Sequence, residues 1–144
     1  MILATNARES IDQAFFRRFQ VLIDFPRPDS AGRLAILEGM VAGTAVAVAD
    51  ADGRVATTPE EVRAALKPVT ERFDLTGGNL KNVLLDATFR AVSGTTSGPP
   101  VLTTRELVLG VARELQKDGK AVSVATFGKE WFTVVERELR LGRG

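Results

Sequence analysis

Three groups of residues in this sequence have types and spacings that could do chemistry. Asn6 closes the β-like run Leu3-Ala4-Thr5-Asn6. A polar side chain at the carboxyl end of a strand stands where ligands of open α/β sheets collect, although Asn also caps a strand-to-loop turn readily. Arg17 and Arg18 follow eleven and twelve residues later. Adjacent side chains on a helix diverge by roughly 100°, so the two guanidiniums cannot share one ligand face; one can pair locally while the other projects. The third group is Gly77-Gly78, ahead of a helical pattern, with Lys81 the only cation in the first turn. Bare backbone N–H groups at a helix amino terminus can approach an anion or a ribose closely, and the same glycine pair can also serve simple capping.

What is missing narrows the chemistry further. The 144 residues contain neither cysteine nor histidine, which removes disulfides, Cys or His zinc sites, thiol nucleophiles and every Ser-His or Cys-His catalytic arrangement. An Asp50-x-Asp52-Gly53 run invites a calcium loop, but with Gly53 in the sixth place the twelfth is Pro59 rather than the required Glu. Basic residues number 19 and acidic residues 18, and the balance holds locally: 5 against 5 over residues 1–40, 6 against 7 over 41–104, 8 against 6 over 105–144. No block of charge marks a nucleic-acid or membrane surface, so neither partner is expected. The longest apolar runs fall far short of the ~20 residues that cross a bilayer, and the first residues lack the basic and apolar regions of a signal peptide. A cytoplasmic setting is the expectation.

The elements that would position these residues fall into two parts divided by prolines. Met1 to Thr5 and Gln20 to Phe25 read as strands around a short helix, Ile11 to Phe19, opened by Ser10. A run without alternation is typical of a strand buried in a parallel sheet, so the rest of that sheet is expected elsewhere. From Pro26-Arg27-Pro28 onward the pattern is helical. Asp29 or Ser30 caps a helix carrying Leu34, Leu37 and Val41. Gly43 to Thr57 reads as a loop, with a hairpin from Val46 to Val55 as the alternative. Thr58-Pro59-Glu60-Glu61 is a capping box opening a helix toward Arg72, with an interruption expected near Pro68. Thr76 opens a helix with Leu80, Val83, Leu84, Ala87 and Ala91 inward, followed by a flexible linker from Ser93 to Pro100. Thr103-x-x-Glu106 opens another with Leu107, Val108, Val111, Ala112 and Leu115 inward, ending at Gly119, and Phe127 to Leu139 forms the last. Phe127, Trp131 and Phe132 lack interleaved basic residues on one face, so helical spacing makes them core rather than a base-stacking platform. The expected fold class is mainly α: a helical bundle over residues 27–144 preceded by a short α/β unit over 1–26.

Four motifs in order and register carry a family resemblance: Leu3-Ala4-Thr5-Asn6; Ile11-Asp12-x-Ala14-Phe15-Phe16-Arg17-Arg18-Phe19; Phe25-Pro26-Arg27-Pro28-Asp29 with Arg33 and Ile36; and Leu75-Thr76-Gly77-Gly78-Asn79-Leu80-Lys81-Asn82. Together they resemble the second half of an AAA+ ATPase over about residues 1 to 92, and more weakly through Arg113-Glu114-Leu115-Gln116-Lys117. The resemblance implies that residues 1–26 are the carboxyl-terminal remnant of the nucleotide-binding core and 27–144 its helical lid. It implies Asn6 as sensor 1, and Arg17 or Arg18 as an arginine finger supplied to a neighbouring subunit, a role suited to a planar, always-charged guanidinium facing phosphoryl oxygens. The widespread form separates the two arginines by Pro-Gly, whereas here they are adjacent. Gly77 and Gly78 would belong to the lid segment over adenine and ribose; the usual sensor 2 arginine is not evident, and Lys81 is its candidate substitute against a solvated lysine.

The sequence holds no G-x-x-x-x-G-K-[ST] loop. The implied full-length parent therefore carries that loop and an acidic Walker B strand upstream of Met1. It binds ATP and Mg²⁺ between subunits of a ring, expected as a hexamer, and couples hydrolysis to remodelling a macromolecule, with an unknown protein as substrate or assembly partner. The chain alone is expected to bind no cofactor and to be inactive. The rival from another class is a non-enzymatic helical module for protein–protein interaction. A helix-turn-helix DNA binder is disfavoured by the even charge.

Overall fold

The two β-like runs at the amino terminus do not pair. In the computed structural model, which describes residues 2–5 and 7–141, residues 2–5 and 21–25 carry no strand. The expected α/β unit keeps only a 3-10 turn at Arg8–Ser10 and one turn of helix, α1, at Gln13–Phe16. A buried parallel strand is stable only with ladder neighbours, and among the described residues none lies beside these runs. The helix expected from Ile11 to Phe19 under Ser10 shrinks because Asp12 is its cap, accepting from the Ala14 N–H at 3.0 Å, while Ser10 is spent in the preceding turn. No residue of either element is buried, and Ile2, Val21 and Phe25 are 99, 73 and 86% exposed, so this segment has no core.

The bundle begins at Asp29, whose carboxylate accepts from the Gly32 N–H at 2.7 Å and caps α2, Ser30–Ala42. Beyond it, β1 (Ala47–Val48) starts the loop that reads as a possible hairpin. The turn does close: Asp50 Oδ1 accepts from the N–H groups of Asp52 and Arg54, Gly53 takes φ 81°, and a single antiparallel bridge joins Ala49 to Val55. The main partner of β1 is distant in sequence, however. It pairs in parallel with β2 (Val101–Leu102), Ala47 opposite Val101 and Val48 opposite Leu102, just past the linker read from Ser93 to Pro100.

Three helices follow with their expected caps. Helix α3, Pro59–Arg72, opens under the reciprocal Thr58–Glu61 capping box. It runs through Pro68 without the expected interruption. Pro68 and Ala64, whose carbonyl the proline leaves unpaired, are both exposed, so water can satisfy that carbonyl. Helix α4, Gly77–Gly94, buries Leu80, Val83, Leu84, Ala87 and Ala91, and α5, Thr104–Lys117, buries the apolar face read from its spacing. At α5 the Glu106 carboxylate accepts from the Thr103 N–H at 3.0 Å and from its hydroxyl.

α4 and α5 share the most extensive interface, and Gly110 makes it possible: a Cβ there would lie 2.8 Å from the Val83 carbonyl oxygen. Helix α6, Val124–Leu141, starts earlier than expected and breaks at Gly128, φ 76° and ψ 162°. Phe127 and Val135 are fully buried, with Trp131 and Phe132 half-buried against the same core, and the Phe127 ring sits 5.0 Å from that of Phe73. Asp86 joins three helices at the surface through Arg90, Arg113 and, beyond Arg90, Glu138. The chain is mainly helical, and among the described residues no helix is long and apolar enough to cross a membrane.

Candidate functional site

The amino terminus of α4 is the best-built of the singled-out positions. Thr76 donates its N–H and hydroxyl to Asn79 Oδ1 at 3.1 and 2.8 Å, and its oxygen accepts from the Asn79 N–H at 3.2 Å. Gly77 and Gly78 occupy the first two helical positions, where backbone N–H groups have no intrahelical partner. Neither glycine has a positive φ. A Cβ on Gly77 would meet nothing within 4 Å, and one on Gly78 only the Thr76 oxygen at 3.8 Å. Internal packing therefore does not require glycine at either position, and bare backbone faces open space. Lys81 is exposed beside it.

Beneath this terminus lies a group that the sequence reading did not single out. Glu114 of α5 is 5% exposed, and its Oε1 accepts from Asn82 Nδ2 at 2.8 Å and Asn79 Nδ2 at 3.2 Å. Lys117 Nζ lies 3.3 Å from its other oxygen. Burial pushes this carboxyl up, but the hydrogen bonds from Asn82, Asn79 and Lys117 outweigh burial and hold it below the ordinary carboxylate range. The signal was available: Leu107, Val111 and Glu114 fall on one helical stripe, so a charge stands where periodicity demands burial.

Arg17 and Arg18 are exposed at the end of α1, and neither guanidinium has a hydrogen-bond or ion-pair partner among the described residues. Both fall just past the end of α1, Arg17 as its C-cap and Arg18 in the turn that follows, so the helical spacing expected of them is not realised. Arg17 lines a groove of about 560 Å³ with Arg8 and Phe16, and Arg18 lines another of about 800 Å³ between the extended runs. Neither groove reaches Gly77, Gly78 or Lys81, so the arginines and the α4 terminus are not brought into one site. Asn6 lies outside the described residues. Among the described residues no cluster of three acidic side chains could hold a metal ion. Among the described residues, these side chains do not assemble a complete ATP–Mg²⁺ site.

A different pair of motifs does meet. Arg27 and Arg33, from the Pro-rich segment and α2, both reach Asp74, just ahead of Leu75-Thr76-Gly77-Gly78. No protein-family model, no curated protein and no solved structure matches this chain.

Proposed function

We propose that this chain is the carboxyl-terminal part of an AAA+ ATPase, a core remnant followed by a helical lid, whose parent hydrolyses ATP between ring subunits to remodel a macromolecule. The observation that carries this reading is the glycine pair opening α4. Gly costs about 0.5–1 kcal/mol against Ala in a helix, and here neither φ nor crowding accounts for it. Bare N–H groups over open space suit close approach by an external ribose or base. The mainly helical bundle and the junction of Arg27 and Arg33 with Asp74 agree with the order of the four motifs. On this reading Arg17 or Arg18 acts on a neighbouring subunit, which accounts for their distance from the α4 terminus in one chain.

The gene provides the test. Upstream of the codon for Met1, in frame, the reading expects a G-x-x-x-x-G-K-[ST] loop followed by an acidic strand; an upstream sequence with neither removes it. A calorimetric titration adds a second check, since micromolar ATP affinity in the 144-residue chain would contradict the assignment of the phosphate-binding residues to a missing part.

One observation favours the rival reading of a protein-interaction module. Leu85, Phe89 and Val92 form a stripe on the outer face of α4 and are 68, 71 and 53% exposed.

A further inference from the structure

Of the five large apolar side chains that the bundle leaves exposed among the described residues, three stand on one face of α4: Leu85, Phe89 and Val92. Steps of four and then three residues align them in a single stripe. The other side of α4 packs on α2, α5 and β2, and neither groove of residues 2–25 reaches the stripe. Among the described residues nothing covers it.

The charge on this face is sorted to its two ends. Lys81, one turn before Leu85, is exposed and has no ion pair among the described residues. At the other end α4 finishes in free acceptors. The Ala91 and Val92 carbonyls accept from Thr95, whereas those of Ser93 and Gly94 accept nothing among the described residues. Unpaired carbonyls form the negative end of the helix dipole, which attracts a cation. A stripe with its cation at the amino end and its free acceptors at the carboxyl end is complementary to its own reverse. Laid antiparallel on a second copy with Leu85 opposite Phe89, it brings Lys81 level with Ser93 of that copy. A parallel arrangement would set Lys81 against Lys81 and align the two dipoles. Asp86, at the margin of the stripe, is already paired with Arg90 and Arg113, so the antiparallel contact buries no unpaired acid.

We propose that α4 is a homotypic docking surface, on which two copies of this chain meet stripe to stripe and antiparallel about a two-fold axis level with Ala87. Each Phe89 packs against Leu85 of the other copy, and each Lys81 faces the other's free carbonyl end. The contact is isologous and closes at two copies, which separates it from the head-to-tail contacts of a ring. It goes beyond the nucleotide reading, because it uses neither Gly77, Gly78 nor residues 2–27 and needs no nucleotide. The outer side of one helix offers less than the ~800 Å² per partner of a standard interface, so the dimer is weak, with a Kd on the order of 10–100 µM.

Sedimentation equilibrium of the 144-residue chain from ~1 µM to ~1 mM tests the association, and a monomer–dimer equilibrium is expected. Phe89→Asp should weaken it by at least ~10-fold. Lys81→Glu should weaken it several-fold, whereas Lys81→Arg, which keeps the cation, should stay within ~2-fold of wild type. All three change exposed side chains, so amide exchange at buried Val83 should stay the same, which separates loss of docking from loss of fold. Ile23→Ser controls for association through the exposed apolar residues 21–25 and should leave the equilibrium unchanged. Direction is read from a spin label at Ser93→Cys, since the chain has no other cysteine. At about 1.5 Å per residue, antiparallel pairing holds the two labelled positions ~18 Å apart along the helix axes, whereas parallel pairing brings them to the ~8–10 Å between helices. An association that survives Phe89→Asp, one that Ile23→Ser abolishes, or a label distance of the parallel kind would overturn the proposal. A chain that stays monomeric at ~1 mM would also overturn it and leave the stripe to a protein of different sequence. The dilution series and the label distance need no change within the stripe, so they decide the matter even if a stripe variant folds poorly.

Discussion

Asn82 of α4 donates to Glu114 of α5 across the tightest helix–helix interface of the bundle, 2.8 Å from Nδ2 to Oε1, and the acceptor is a nearly buried carboxylate. With Asn79 on the same oxygen, one charge holds a residue from each of the first two turns of α4, and Asn79 also closes the Thr76 cap. Replacing Glu114 with Ala strips both amides of their acceptor. The expected loss is about 1–3 kcal/mol in urea unfolding at pH 7, with Glu114→Gln losing less because one amide oxygen still accepts.

The same carboxylate makes stability depend on pH with a definite sign. Its folded pKa is held below the ordinary carboxylate range. The group therefore adds stability at pH values above the unfolded value of ~4.3, and that contribution fades as pH falls through the lower folded value. Unfolding free energies of wild type and Glu114→Gln should run parallel near neutrality and converge below about pH 4. A gap that widens on acidification would contradict the assignment.

Gly110 and Gly39 should respond to alanine with opposite signs. A methyl on Gly110 meets the Val83 carbonyl at 2.8 Å, and backbone cannot step aside, so Gly110→Ala is expected to cost about 1–3 kcal/mol by forcing α4 from α5. Gly39 lies on the exposed side of α2 with nothing within 4 Å of the added atom. Gly39→Ala should gain roughly 0.5–1 kcal/mol through the unfolded chain's lost freedom. Equal urea midpoints for the two variants would refute the close-approach argument.

The break in α6 gives a coupled pair. Gly128, at φ 76° and ψ 162°, occupies a region nearly reserved for glycine, and Arg72 Nη2 lies 3.1 Å from where its Cβ would stand. Arg72 Nε donates to the Thr126 carbonyl at 2.9 Å, just ahead of the break. Gly128→Ala should cost about 1–3 kcal/mol and Arg72→Ala about 1 kcal/mol. Because both act at one place, the thermal-melt deficit of the double variant should fall short of the sum.

These residues also show where sequence reading reaches and where it stops. The caps at Thr58, Thr76 and Thr103 and the α4 stripe from Leu80 to Ala91 were legible, since each depends on neighbours within a few positions. The β1–β2 pair was not, because two-residue strands carry almost no pattern and Ala47 meets Val101 only through tertiary folding. Pro68 misled because the rule against proline in helices assumes a carbonyl that water cannot reach. Residues 2–5 and 20–25 misled in the opposite way: strand composition is a statement about burial, and among the described residues nothing buries them. At the amino terminus of α4, Gly77, Gly78 and Lys81 were singled out from type and spacing, while Glu114 and Asp74 meet their partners through contacts that no local window contains.

The last prediction separates the two readings of Arg17 and Arg18. A structural pair would be tied to the chain, yet neither guanidinium has a partner among the described residues and the two line different grooves. Arg17→Ala and Arg18→Ala should therefore each leave the stability of this chain within about 0.5 kcal/mol of wild type. In the full-length ATPase that the proposed function implies, one of them should leave ATP affinity nearly intact while lowering kcat by roughly 10³ to 10⁵-fold, since a finger acts only on charge that develops during phosphoryl transfer. Mixing subunits tests where it acts. A subunit lacking the finger arginine, paired with one whose phosphate loop is disabled, should retain turnover only at interfaces where an intact arginine faces an intact pocket. If both single variants and the double turn over at wild-type rates per assembled ring, neither arginine is a finger. If instead the isolated chain loses several kcal/mol on either substitution, the pair is structural after all.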